Sequence, residues 1–148
     1  MVVGPVAQAE PPLRVLIVDD HPLFPELLLR LFQARDWIEV VGCAVNGRDA
    51  VAVASATKPD VVLMDIKMPL LDGIEATRRI LQHRHTIVLV LTSSDSSSDH
   101  ERALAAGARV VLDKVIDPLE LLAYLEEAYL ERLAAPGEPD GVLTTAPR

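Results

Sequence analysis

Cysteine is nearly absent from the 148 residues. Cys43 stands alone, so neither an internal disulfide nor a cysteine-based zinc site can form, which suits a reducing cytoplasm. No apolar run approaches the length needed to span a bilayer. Basic charge is also scarce: 14 Lys and Arg against 22 Asp and Glu give a formal net charge of −8. That balance supplies no patch for a phosphate backbone, so this segment is expected to make no nucleic-acid contact, and DNA binding would need an output domain. The opening MVVGPVAQAEPP lacks both a basic start and a long apolar segment, and residues 1–12 read as a disordered leader, not a signal peptide. What is plentiful is apolar residues, 50% of the chain, enough for one core of ordinary size and one domain with tails.

The apolar residues come in a regular alternation. RVLIV (14–18), IEVVGCAV (38–45), VVLM (61–64), IVLVL (87–91) and RVVL (109–112) are short strand-like runs. Between them PLFPELLLRLFQA has apolar residues at helical spacing, with Pro22 and Pro25 in the first turn, where proline is tolerated. Asn46-Gly47 opens a small-residue helix to Thr57, and three further helix starts carry a capping oxygen three residues ahead of a carboxylate: Asp72 with Glu75, Ser98 with Glu101, and Asp117 with Glu120. Five strands alternating with five helices, each strand apolar almost throughout, predict an α/β fold with a parallel sheet covered on both faces. The tail 134–148, rich in Pro, Gly and Thr, reads as flexible or as the start of a linker to an output domain that the chain does not contain.

In such a sheet, ligands gather outside the carboxyl ends of the strands. The residues leaving the strands are Asp19 and Asp20, Asp65, Thr92, and Lys114. Carboxylates brought together repel one another, and a bound cation relieves the repulsion. Hard oxygen ligands suit Mg²⁺, and a carboxylate beside a metal can act as a nucleophile toward phosphorus. A lysine and a hydroxyl would then meet the phosphoryl oxygens.

VLIVDDHPLF, VVLMDIKMPLLDGIEATRRI, VLVLTSS and GARVVLDK resemble the landmarks of bacterial response-regulator receiver domains (CheY-like), especially those of the NarL/LuxR class. The likeness covers residues 13–133. It implies a flavodoxin-like doubly wound sheet of order 2-1-3-4-5. It further implies Asp65 as phosphoacceptor and Asp20 as a direct Mg²⁺ ligand. Asp19 would bind mostly through water, the backbone carbonyl of Lys67 would be another ligand, and Thr92 and Lys114 would contact the phosphoryl group. A sensor histidine kinase would be the donor. Activity would be limited to self-catalysed transfer and autodephosphorylation, which is not classical enzyme turnover. The setting implied is cytoplasmic two-component signalling with transcription regulation as output.

Some positions depart from the family pattern. Receivers commonly carry Tyr or Phe where this chain has Val111, and a ring there turns inward as the threonine moves. The switch pair is here Thr92 and Val111, and valine cannot sweep between rotamers with a comparable change of surface. Val115 replaces a frequent proline, which removes the expectation of a cis peptide. Asp113, on the same side of its strand as Val111, need not join the acidic set. These departures keep a second reading open, a pseudo-receiver acting as a phosphorylation-independent binding module. A third, an aspartyl phosphatase of the haloacid-dehalogenase type, wants a second Asp where Lys67 stands. Met68-Pro69 and Asp72-Gly73 are read as turns shaping the loop after Asp65. The Lys67 side chain and the scattered His21, His83, His85 and His100 are read as surface or loop groups. In the last helix, Leu121, Leu125 and Ala128 can face the sheet, while Leu119, Leu122, Tyr129 and Leu133 spread round the cylinder. That excess suggests a homodimer through helix 4, strand 5 and helix 5.

Overall fold

β-Branched and leucine-rich runs become strands wherever capped helix starts interrupt them, and the computed structural model places them in that order for residues 10–135. The elements are β1 (Leu13–Val18), α1 (Leu23–Gln33), β2 (Ile38–Ala44), α2 (Gly47–Thr57), β3 (Val61–Met64), α3 (Gly73–His83), β4 (Ile87–Thr92), α4 (Ser97–Ala105), β5 (Val110–Asp113) and α5 (Pro118–Ala134). Of the leader and tail expected from the sequence, residues 1–9 and 136–148 lie outside the described residues. All strand pairs are parallel, and the order β2-β1-β3-β4-β5 is the doubly wound arrangement expected.

Side-chain alternation divides the buried strand residues between two cores. Leu16, Val18, Val62, Met64, Val88 and Val90 point to the face covered by α2, α3 and α4, where Ala50, Ala54, Ile74, Ile80 and Ala103 meet them. Leu13, Val15, Ile17, Val61, Leu63, Leu89 and Leu91 point to the opposite face, against Leu28 and Phe32 of α1 and Leu121, Leu125 and Ala128 of α5. Each large side chain buried this way contributes about 1.5–3 kcal/mol. Two-sided burial leaves the polar residues of the sheet only its ends.

The caps follow local geometry, with two differences from expectation. Asn46 and Asp72 accept from the backbone N–H of Asp49 and Glu75, at 2.8 and 2.9 Å, as the sequence suggests. At α4 the cap is Ser96, not Ser98: Ser96 is extended and its Oγ accepts from Asp99 N at 3.2 Å, while Ser98 already lies within the helix. A run of serines offers several candidate caps, and the one that leaves the preceding loop in extended conformation takes the role. Asp117 caps α5 by accepting from Leu119 N, one residue earlier than the box pattern implies.

On α5 the apolar excess is narrower than its sequence suggests. Leu121, Leu125 and Ala128 are buried as expected, but so is Leu122, because the stripe toward α1 and β5 is wide enough to include it. The half-buried Tyr129 ring packs 5.4 Å from that of Trp37. Leu119, Leu130 and Leu133 remain on the exposed side.

Candidate functional site

The sheet's hydrogen-bond ladder runs on past the carboxyl ends of the strands, and it fixes the residues of interest. Asp19 N donates to Ala44 O at 3.0 Å, Asp65 N to Val18 O at 3.0 Å, and Lys114 N to Thr92 O at 3.1 Å. Each backbone is therefore tied into the sheet like the core strands beside it. Asp19, Asp65 and Thr92 are buried, at 3%, 3% and 2% exposure, whereas Asp20 stands at the solvent edge.

Lys114 reaches across this edge. Its Nζ lies 2.7 Å from Asp19 Oδ2 and 3.1 Å from Asp65 Oδ2. The other Asp65 oxygen, Oδ1, accepts from Ile66 N at 2.8 Å. Burial is the main reason that the Asp65 carboxyl is held above its ordinary value, and the Asp19 charge adds to it, against the pull of Lys114 and the Ile66 N–H. For Lys114, burial acts to lower the ammonium, but hydrogen bonds and charge from Asp19 and Asp65 outweigh it and raise the group above its usual value.

The loop after Asp65 is held from below. Gly73 N donates to Ile66 O at 2.8 Å, and its Cα rests directly on the Asp65 carbonyl. This supports the structural reading of Asp72-Gly73. The Lys67 side chain is not merely exposed: its Nζ sits 3.4 Å from Asp99 Oδ2 at the start of α4. Asp99 also accepts from Ser94 Oγ at 3.1 Å and Arg102 Nη1 at 3.3 Å, and its carboxyl is held below the usual range, first by Ser94 and then by Lys67 and Arg102.

Of the residues singled out from the sequence, Asp19, Asp20, Asp65 and Lys114 come together. Thr92 sits at the same edge, but its Oγ1 is engaged locally, accepting from Ser94 N at 3.1 Å. Val111 is half-buried against the α2–α3–α4 core. Asp113 stays outside the acidic set, its Oδ1 accepting from Val115 N at 2.9 Å, and among the described residues every peptide bond is trans.

His21 is the exposed loop residue that the sequence suggests, lying between β1 and α1, but its ring is also engaged. Its backbone N–H donates to Asp19 Oδ1 at 2.8 Å, which turns the chain back so that the ring lies over the acids. Nδ1 is 2.9 Å from Asp19 Oδ1, 3.4 Å from Asp20 Oδ1 and 3.7 Å from Asp65 Oδ2. One ligand atom from each of Asp19, Asp20, His21 and Asp65 lies within 4.8 Å of the other three. The only sequence signal for this was adjacency to the acidic pair.

Three carboxylates facing one ammonium leave a deficit of positive charge, and their oxygens are hard donors. The set therefore fits a divalent cation of the Mg²⁺ type.

A family profile described as the response regulator receiver domain matches residues 15–126. This chain belongs to that family. Receivers of this kind are the phosphoryl-accepting modules of two-component response regulators, they typically bind Mg²⁺ at an acidic pocket, and they interact with histidine kinases. Among curated relatives, a protein-glutamate methylesterase/protein-glutamine glutaminase of Anaeromyxobacter dehalogenans is 42% identical over 109 residues, 74% of this chain and 32% of that protein. The transcriptional regulatory protein YhcZ of Bacillus subtilis, itself uncharacterized, is 40% identical over 111 residues, 74% of this chain and 52% of its own length. The receiver thus spans about a third to a half of these relatives.

Solved structures agree with the family. The response regulator domain of Thermotoga maritima CheB superposes with a TM-score of 0.74 at 32% identity, covering 84% of this chain and 99% of that one. The receiver domain of the putative response regulator NarL from Mycobacterium tuberculosis gives 0.75 at 30% identity, covering 82% and 98%. Among the described residues no helix is long and apolar enough to cross a membrane.

Proposed function

We propose that this receiver accepts a phosphoryl group on Asp65 from a sensor histidine kinase in the cytoplasm. The observation that carries this is the Lys114 Nζ contact with Asp65 Oδ2 at 3.1 Å inside a pocket of three carboxylates. An Asp65 carboxylate oxygen attacks phosphorus, the phosphorus–nitrogen bond of the kinase phosphohistidine breaks, and its electron pair stays on the leaving imidazole. Asp19, Asp20, Asp65 and the backbone carbonyl of Lys67 would hold Mg²⁺, which supplies charge neutralisation when bound. Lys114 exchanges one carboxylate contact for a phosphoryl oxygen, and Thr92 donates its hydroxyl to another.

The readout would run from Thr92 through Ser94. When the Thr92 hydroxyl turns toward the phosphoryl group, it releases Ser94 N–H, and Ser94 is bonded through its Oγ to Asp99 and through its carbonyl to the His100 ring at 2.8 Å. Helix α4 is thereby coupled to the acceptor without an aromatic ring at Val111. Residues 13–133 would form the receiver unit, with 134–148 as a flexible tail or the start of a linker. Leu104 of α4 with Leu119, Leu130 and Leu133 of α5 would be apolar contacts of a homodimer on the α4–β5–α5 face.

Incubation with Mg²⁺ and a small acyl phosphate tests the reading by intact mass. One phosphoryl group is expected on the wild type and none on Asp65→Asn. An unmodified wild type, under conditions that label a control receiver, would overturn it.

A further inference from the structure

We propose that His21 supplies a nitrogen ligand to the divalent ion of the acidic pocket, giving this site a bias toward first-row transition ions over Mg²⁺. The inference rests on the reading that the pocket holds such an ion, and concerns which ion and which ligands.

Donor atoms around one ion at about 2.0–2.6 Å lie no more than roughly 5 Å from one another. His21 Nδ1 and one oxygen each of Asp19, Asp20 and Asp65 meet that bound, all lying within 4.8 Å of one another. The backbone bond from His21 N–H to Asp19 Oδ1 fixes the start of the side chain over the pocket, and the ring itself is half exposed. A small turn of the ring toward an ion therefore breaks no packing.

The Nδ1 lone pair also faces the pocket. Lys114 Nζ approaches His21 Nδ1 to 3.2 Å. An ammonium has only hydrogens to offer, so this contact is a hydrogen bond only when Nδ1 carries its lone pair. The 2.9 Å approach to Asp19 Oδ1 asks for a proton on the same nitrogen. The two contacts cannot both be hydrogen bonds of one tautomer; with the ring proton on Nε2, the Nδ1 lone pair faces the pocket, and a divalent ion would take it in place of Lys114.

Mg²⁺ takes oxygen ligands and gives up water reluctantly, whereas imidazole suits ions further along the first transition row. An all-oxygen pocket already follows the general order of divalent affinities. The bias attributable to His21 is therefore the part that vanishes when the imidazole is removed.

The test uses Mn²⁺ as the probe on the wild type, His21→Ala and His21→Asn. Pulsed EPR of the Mn²⁺-loaded wild type is expected to show nitrogen hyperfine coupling that both variants lose. Affinities for Mn²⁺, Co²⁺ and Mg²⁺ by titration calorimetry should show the transition ions weakened by roughly tenfold in His21→Ala, with Mg²⁺ little changed. His21→Asn keeps a polar side chain without the imidazole and should behave like the alanine variant. Mn²⁺ bound with no nitrogen coupling, or the same Mg²⁺-to-Co²⁺ ratio in wild type and His21→Ala, overturns the inference and leaves the phosphoacceptor reading standing. A wild type that binds none of the three ions overturns both.

Discussion

Gly73 rests on Asp65: a Cβ added to Gly73 would lie 1.8 Å from the Asp65 carbonyl oxygen and 2.8 Å from its carbonyl carbon. The obstructing atoms are backbone, so no rotamer change can relieve the clash. In Gly73→Ala, helix α3 must move away from the acceptor loop, at a cost of about 1–3 kcal/mol or more, as for overpacked cores. Urea denaturation should give a lower midpoint with an unchanged slope. Labelling by a small phosphodonor should slow in the folded protein, since the loop holding Asp65 has shifted. An unchanged midpoint would mean that α3 is not seated on Asp65.

The raised Asp65 carboxyl makes a prediction about pH. A group whose acidity is weakened on folding binds protons in the native state that the unfolded chain has already released. Stability therefore falls as pH rises from the ordinary aspartate value through the higher native one. Asp65→Asn removes this dependence, because the amide stays neutral and can still accept from Lys114. The variant should be more stable than wild type at neutral pH, and the difference should shrink in acid, below the ordinary aspartate value. Thermal melts across that range check it, and an Asp65→Asn less stable than wild type at neutral pH would refute the burial argument. Added Mg²⁺ should raise the wild type's melting temperature and the variant's much less.

Much of this site could be read from residue order, for a physical reason. A parallel sheet buried on both faces forces its strands to be apolar, so the first polar residue after each run marks the sheet edge. Asp19, Asp65 and Thr92 were legible in that way, with Lys114 one residue further on behind Asp113, and so was the layering of helices. His21 was not, because nothing in DDH distinguishes a histidine in a loop from one folded back onto Asp19 by a backbone bond. The Lys67–Asp99 pair was equally invisible, since it joins side chains from separate βα units and leaves no local periodicity. The choice of Ser96 over Ser98 depends on one backbone dihedral within a serine run. Leu122 was left outside the sheet-facing set because helical spacing marks the centre of a stripe better than its width.

Ser94 joins the acceptor edge to α4, through its N–H to Thr92 and its Oγ to Asp99. Ser94→Ala keeps the first bond and deletes the second. Asp99 then loses the largest influence holding its carboxyl down, so the stability it contributes above the usual carboxylate range should begin to fade at higher pH than in wild type. Amide hydrogen exchange in residues 97–105 should quicken. The change in α4 exchange on phosphorylation should shrink, while the rate of labelling at Asp65 stays near wild type. Equal α4 responses in wild type and variant would show that Ser94 is no relay.

Leu70 occupies the left-handed region, with φ at +70°, in the loop between Pro69 and Leu71, and its side chain is 68% exposed. A leucine held there costs about 1–3 kcal/mol in backbone strain, and its exposed side chain recovers little by packing. Glycine adopts this conformation freely but costs roughly 0.5–1 kcal/mol through the greater freedom of the unfolded chain. Strain relief is the larger effect, so Leu70→Gly should stabilise the domain by about 0.5–1 kcal/mol. Leu70→Ala keeps a Cβ at the same φ and should gain little. Urea midpoints of the two variants separate the causes. Equal stabilisation by alanine and glycine would trace the gain to removal of an exposed leucine and not to the backbone. Neither variant alters the Asp65–Lys114 contact, so unchanged labelling by a small phosphodonor is expected of both.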